Sequence, residues 1–361
     1  MKKFTLMAMA ALAMVACQNN ENAYTINGTY QAAGENDSVS LSLIKGRRLV
    51  ELQKVPVVGG KFKFEGTADS VQVVALTMND AFCQLFLEPG DIKVDLKEGE
   101  MSFALGTPNN NAYEAFSSDI KALEDEYAEI VRNSQNPELT DAQRKELKEQ
   151  MGTFEEKYFQ AISSCITENT GNDFGLHILS SYYNMFEPDV LAPILDSYIE
   201  TFPTDTRLKQ IKSINDITLE TSAGKPFKNF EMADVDGNTH SLAEYISANK
   251  VTLIDFWASW CGPCRAEMPA VKEAYEAYKN KGFGIVGISL DNNKEAWAGA
   301  IKNLELNWAH LSDLKGWNCE GAKIYGVRSI PATVLVAQDG TIIARNVRGE
   351  AIKEKLAELL N

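Results

Sequence analysis

Residues 251–264 read VTLIDFWASWCGPC: an apolar run from Val251 to Trp257, a short break, and two cysteines three positions apart. The run reads as a buried strand, and the residues from 262 onward read as the start of a helix. Two cysteines so placed set one thiol at a helix N-terminus, where the dipole favours the thiolate. Cys261 is expected to be that residue, exposed, attacking a substrate disulfide to form a mixed disulfide. Cys264, one turn deeper, reaches the sulfur of Cys261 and resolves the intermediate, leaving an intramolecular bond and a reduced product. Cys-x-x-Cys is also metal-ligand spacing, but a tetrahedral site needs two more ligands. His177, His240 and His310 are scattered and no second Cys-x-x-Cys occurs, so neither metal nor cofactor is expected.

Around this stretch the apolar runs follow α/β order. Strands are expected at Val251 to Trp257, Gly284 to Leu290, Ala332 to Val336 and Thr341 to Ala344, and helices near 262–279, 294–304 and 350–360. Asp339-Gly340 marks a hairpin turn. One α/β domain over 225–361 follows, preceded by a polar stretch, 206–224, that reads as a linker. Further upstream, residues 24–108 show short alternating runs, such as Lys61 to Phe64, broken by Gly59-Gly60 and Pro89-Gly90-Asp91, which predict an antiparallel β-sandwich or barrel. After the polar break Pro108 to Asn111 the period changes to three and four, through Tyr113, Phe116, Ile120, Leu123 and Tyr127. An α-helical region over 109–205 is the reading, with a capping box at Thr140 and Gln143 opening its second helix and two shorter helices near 173–184 and 188–200. Its aromatic stripe is read as helix-packing core, with a ligand groove as the alternative.

The chain of 361 residues is long enough for two or three domains, and its composition, 45% hydrophobic and 24% charged, is globular. A net charge of −15 argues against nucleic acid as a partner, because a polyanion is not steered toward a like-signed protein. At the N-terminus, Lys2 and Lys3 precede thirteen mostly apolar residues, Phe4 to Ala16, and then Cys17. This reads as a secretory signal over 1–16, too short to span a bilayer. Met14-Val15-Ala16-Cys17 resembles the bacterial lipobox, which implies acylation of Cys17, a tether over 17–23 and attachment to a membrane face.

Asp255 to Cys264 resembles the active-site segment of the thioredoxin superfamily, and Tyr325 to Thr333 resembles the stretch where that superfamily carries a cis-proline beside the dithiol. Arg265 to Pro269 and the stretch Gly287 to Asp313 are most similar to the exported, membrane-tethered TlpA/ResA group. The regions upstream resemble extensions found before such domains in Gram-negative envelope lipoproteins. The resemblance implies a thioredoxin fold over 225–361. It implies that Asp255, buried under the dithiol, accepts and returns a proton as Cys264 reacts, its pKa raised toward the working pH. Where thioredoxin pairs this carboxylate with a lysine, the corresponding position here is Gly287. Pro331 is expected cis, with the backbone of Ile330 free to pair with a substrate strand. Trp260, Gly262 and Pro263 are expected to join Ile330 in meeting the substrate, with Trp257 in the core.

Gly-Pro between the cysteines is the thioredoxin pair, and thioredoxin lies near about −270 mV against about −120 mV for the oxidant DsbA. The expected activity is therefore disulfide reduction in the cell envelope, facing the periplasm, with a membrane thiol-transfer protein as electron donor. A disulfide isomerase remains an alternative, because the exchange chemistry is the same. A thiol peroxidase would need proline and threonine or serine where Ile254 and Ala258 stand. A binding or assembly module with an ancillary dithiol is the reading from a different class. Cys83, Cys165 and Cys319 are read as structural thiols, with a third exchange partner as the alternative for Cys319.

Overall fold

The computed structural model describes residues 21–360 apart from 33, 35 and 47. Cys17 and the signal expected before it lie outside those residues. The chain divides into two compact units, Met1–Tyr182 and Tyr183–Asn361.

Among the described residues the first unit begins with eight strands: β1 (Ala23–Thr29), β2 (Ser38–Lys45), β3 (Arg48–Pro56), β4 (Lys61–Thr67), β5 (Gln72–Met78), β6 (Ala81–Leu87), β7 (Gly90–Asp95) and β8 (Ala104–Leu105). They form two four-stranded sheets ordered β4-β1-β7-β8 and β3-β2-β5-β6. Alternation drives the layering: in β4, Phe62 and Phe64 are buried while Lys61, Lys63 and Glu65 face water. Ile26, Phe64 and Ile92 of one sheet share a core with Leu41, Leu76 and Leu85 of the other. The sheets are not closed into a barrel, which corrects that alternative. Nor is the pairing wholly antiparallel, since β1 runs parallel to β7, with Ile26 beside Ile92. Local turn signals report hairpins between neighbours; they carry no information about a pair joined across 66 positions.

Three helices complete this unit: α1 (Pro108–Ser134), α2 (Asp141–Glu168) and α3 (Asp173–Tyr182). The polar break expected at 108–111 is the first turn of α1. Its polar side chains are buried for a reason: Glu88 accepts hydrogen bonds from the backbone of Asn109 at 3.0 Å and of Asn110 at 3.3 Å, satisfying donors a helix N-terminus leaves open. The Thr140–Gln143 capping box forms as expected. The aromatic stripe packs helix on helix, with the rings of Tyr127 and Phe154 stacked at 4.5 Å.

The second unit begins with α4 (Pro188–Thr201) and α5 (Thr206–Glu220). The expected linker at 206–224 is thus mostly helix, a second correction. Asp205 caps α5 by accepting from the backbone of Arg207 and Leu208. Only Leu208, Ile211 and Asn215 of α5 are buried, an apolar face too thin to stand out in a polar sequence. Nor is the end of this segment loose. Arg345 donates to the carbonyls of Thr221 at 3.0 Å and Tyr325 at 2.7 Å, and Gly224 N–H donates to Ile342. Helix α4, which the sequence placed in one helical region over 109–205, and helix α5, in the stretch read as linker, both belong to the C-terminal unit.

There follow β9 (Glu231–Ala233), β10 (Thr239–Ser241), α6 (Leu242–Ala248), β11 (Val251–Trp257), α7 (Gly262–Tyr278), β12 (Phe283–Ser289), α8 (Lys294–Asn303), β13 (Ala309–Leu311), α9 (Glu320–Ile324), β14 (Ala332–Ala337), β15 (Ile342–Arg345) and α10 (Glu350–Leu360). The five-stranded sheet has the order β13-β12-β11-β14-β15. Central β11, buried at all seven positions, runs parallel to β12 and antiparallel to β14. A strand covered on both faces is near-continuously apolar, and in β11 only Thr252 and Asp255 interrupt the run, which is why 251–257 is legible. No helix among the described residues is long and apolar enough to cross a membrane.

Candidate active site

The central strand β11 delivers the chain to Cys261, which is the N-cap of α7. The backbone N–H of Cys264 points at Cys261 Sγ from 3.1 Å, so the helix N-terminus is directed at that sulfur. Pro263 sits in the first turn, where a missing N–H leaves no bond unmade. Cys261 and Cys264 are joined as a disulfide, their Cα atoms 5.3 Å apart. Cys261 is only 4% exposed, contrary to the exposed nucleophile expected; the open surface beside it belongs to Trp260, Gly262 and Pro263. The Ile330-Pro331 peptide is cis, and the Ile330 carbonyl oxygen lies 3.7 Å from Cys261 Sγ. The structure thus brings Cys261, Cys264, Ile330 and Pro331 together. Trp260 stands on the rim, 52% exposed, while Trp257 is fully buried.

Asp255 lies on β11, six residues before Cys261, 3% exposed, and its Oδ2 has no hydrogen-bond partner among the described residues. Burial pushes its pKa up to about 7; the nearby Glu267 carboxylate adds to this and the Arg348 guanidinium opposes it. Glu267 and Arg348 are themselves paired at 3.1 Å. Sequence reasoning did not single them out; the signal available was one turn of helix, since Glu267 follows Cys264 by three.

In register, Asp255 stands beside Gly287, and Gly287 beside His310. The absent lysine is explained by this row: a Cβ on Gly287 would lie 2.4 Å from His310 Nδ1 and 2.9 Å from Trp257 Nε1. His310 occupies the space, its ring 5.4 Å from that of Trp257, with both ring nitrogens unpartnered among the described residues. Burial alone pushes its pKa down to about 3, so it is a neutral aromatic neighbour at physiological pH.

A second group missed from sequence is the carboxyl of Asp291. It accepts from Ser259 N–H at 2.9 Å, Ser259 Oγ at 2.5 Å and Ser289 Oγ at 2.7 Å. The available signal was position, an acid directly after an apolar strand at the sheet's carboxyl edge. The other cysteines among the described residues are unsuited to exchange. Burial pushes the thiols of Cys83 and Cys165 up to about 12 and that of Cys319 to about 11, so the thiolate is scarce at neutral pH.

Two family models match the chain: Redoxin over residues 222–360 and a domain of unknown function, DUF4369, over residues 24–113. Thiol-disulfide oxidoreductase ResA of Bacillus thuringiensis is 34% identical over 137 residues, which are 38% of this chain and 76% of the relative. The ResA protein of Oceanobacillus iheyensis is 32% identical over 128 residues, 36% of this chain and 64% of the relative. Among solved structures, a thiol-disulfide oxidoreductase from Bacteroides fragilis shares 38% identity over 38% of this chain and all of its own, with a TM-score of 0.36.

Proposed function

Because this chain belongs to the TlpA/ResA-like thiol-disulfide oxidoreductases of the thioredoxin superfamily, we propose that it is a lipid-tethered reductant of disulfides in envelope proteins. The observation that carries the exchange chemistry is the Cys264 N–H aimed at Cys261 Sγ from the first turn of α7, which favours a Cys261 thiolate and so makes it the attacking sulfur. The reducing direction rests on the Gly262-Pro263 pair between the cysteines. In the reduced protein, Cys261 thiolate attacks one sulfur of a client disulfide. One S–S bond breaks as the mixed disulfide forms, and the client's other sulfur leaves as a thiolate. Cys264, its proton taken by Asp255, then attacks Cys261 Sγ, and the second client sulfur departs. Two electrons pass to the client, whose two sulfurs leave as thiolates; Asp255 returns the Cys264 proton to one, the other takes a proton from water, and Cys261–Cys264 returns to the disulfide. A carboxyl with a pKa near about 7 both accepts and returns a proton at neutral pH. Ile330 offers backbone to an extended client segment, with Trp260, Gly262 and Pro263, exposed and flanking Cys261 in the chain, available to the same segment.

Gly262-Pro263 supports a potential near about −270 mV; a measured value above about −150 mV would overturn the reductase reading in favour of oxidation or isomerisation. Clients are captured as mixed disulfides with a Cys264→Ala variant, which cannot resolve them, and Cys261→Ser captures none. An exported reductant sits in oxidising surroundings and must be recharged, which calls for a membrane thiol-transfer donor. Without that donor, Cys261 and Cys264 accumulate oxidised in cells; full reduction would refute it. Acylation at Cys17 supplies the tether, and Cys17→Ala releases the protein from the membrane fraction.

A further inference from the structure

The parallel strands β11, β12 and β13 end side by side, and the loops that follow them are laced together at one point. Asp291, 1% exposed, holds Ser259 of the first loop through its carboxyl, and its own carbonyl accepts from Gly316 N–H at 3.4 Å in the third. Ser312 Oγ adds a second tie, donating to the Ser289 carbonyl at 2.9 Å and accepting from Leu314 N–H at 3.1 Å. Asp313 closes the third loop by accepting from the backbones of Lys315 and Glu320. Two backbone positions there, Leu314 at φ 56° and Gly316 at φ 58°, lie in the left-handed region, which for Leu314 carries a cost.

What this lacing holds in place is two indoles. Trp260 follows Ser259 directly, and Trp317, in a single 3-10 turn over Gly316–Asn318, lies with its ring 6.1 Å from that of Trp260. They are 52% and 49% exposed, while Cys319, two residues after Trp317, is fully buried in the core that contains Cys261 and Cys264. Half-exposed indoles on loops tied at Asp291, one through its carboxyl and the other through its backbone carbonyl, are an apolar contact surface on an ordered backbone, and two-torsion indoles lose little freedom when something covers them. Gly262 and Pro263, both exposed, follow Trp260 and Cys261 in the chain, and the Ile330 carbonyl lies 3.7 Å from Cys261 Sγ; none of Gly262, Pro263, Ile330 and Pro331 bears a charge. Uncharged residues beside the dithiol match an apolar occupant better than a cationic one, although an indole face accepts either.

We propose that Trp317, with Trp260, forms a specificity subsite beside the dithiol that takes a bulky apolar side chain adjacent to the reacting cysteine of an extended client segment. The subsite rests on the thiol-disulfide exchange reading and names the substrate feature it selects. Trp317 is a specificity residue, and Asp291 a positioning residue that acts through the Ser259 and Gly316 backbone.

The test uses the full chain and three otherwise identical peptides in which leucine, asparagine or lysine flanks the cysteine. Each is offered as a disulfide to the reduced protein and as a dithiol to the oxidised protein. The expected result is a leucine-over-asparagine ratio of kcat/KM that falls about tenfold in Trp317→Ala and is restored in Trp317→Phe, the loss arising mainly in KM. The ratio is independent of how much variant protein is folded. An unchanged ratio in Trp317→Ala, or a preference for lysine over leucine in the parent, overturns the subsite. A protein that oxidises dithiol peptides and reduces none overturns the reductase reading instead, while a Trp317-dependent leucine preference in the oxidising direction still supports the subsite.

Discussion

Asp255 and His310 are two buried titratable groups in one sheet row, with opposite consequences for stability. Asp255 has a folded pKa near about 7 against an ordinary 3.8, so the folded state holds a proton that the unfolded chain has released between those values. Stability is therefore lost as pH rises from about 4 to about 7. His310 is held down to about 3, so the unfolded chain takes up the proton first and stability is lost as pH falls below about 6.5. Replacing the carboxyl isolates one limb. Asp255→Asn should gain unfolding free energy relative to the parent between about pH 4 and pH 7, on the order of 4 kcal/mol, and then run parallel to it. Denaturant titrations of the oxidised protein across that range measure the gain, and parallel curves throughout would show that Asp255 titrates normally. The same substitution should slow resolution of the mixed disulfide at neutral pH, because Cys264 loses its proton acceptor.

At the scale of elements, the site depends on how closely β11, β12 and β13 lie against one another's side chains. Gly287 has extended backbone in β12, so an alanine there is conformationally permitted, and only the neighbours object. Gly287→Ala should destabilise the C-terminal unit by about 2 kcal/mol, since His310 and Trp257 must shift. A midpoint unchanged in denaturant would mean that the row relaxes freely. How legible each element was follows the same logic. Strand β11 was read to the residue because both its faces are buried. Helix α5 was missed because three buried positions do not make a visible stripe. The start of α1 was misread as a break because Asn109 and Asn110 look like loop residues until Glu88, 21 positions earlier, is found accepting from them. Apolar burial leaves a periodic trace in sequence; a buried polar network leaves none, since its partners come from unrelated segments.

The whole molecule comprises two compact units with their own cores, one between the two N-terminal sheets and one around the five-stranded sheet. Unfolding should not be two-state. Calorimetry of the oxidised protein should resolve two transitions, and a reductant should move only the one belonging to residues 183–361, where the disulfide resides. A single cooperative transition that moves as a whole would show that the units fold as one. The net charge of −15 belongs to this scale as well, disfavouring polyanions wherever the exchange chemistry takes place.

The order strand, Cys261, Gly262-Pro263, Cys264, helix fixed the exchange chemistry without any structure, because a helix N-terminus placed against a thiol is a local arrangement. Ile330 and Pro331 were within reach only through resemblance, since their approach to the dithiol is made by a loop 69 positions away, and the proton-transfer role of Asp255 likewise came from the resemblance. The tertiary structure alone decided that Cys261 is shielded, that His310 fills the place left by Gly287, and that Asp291 fixes Trp260 beside Trp317. Each of these is a contact between segments distant in sequence, and the physical cause is common to all: side chains at the ends of neighbouring strands become neighbours only when the sheet has formed.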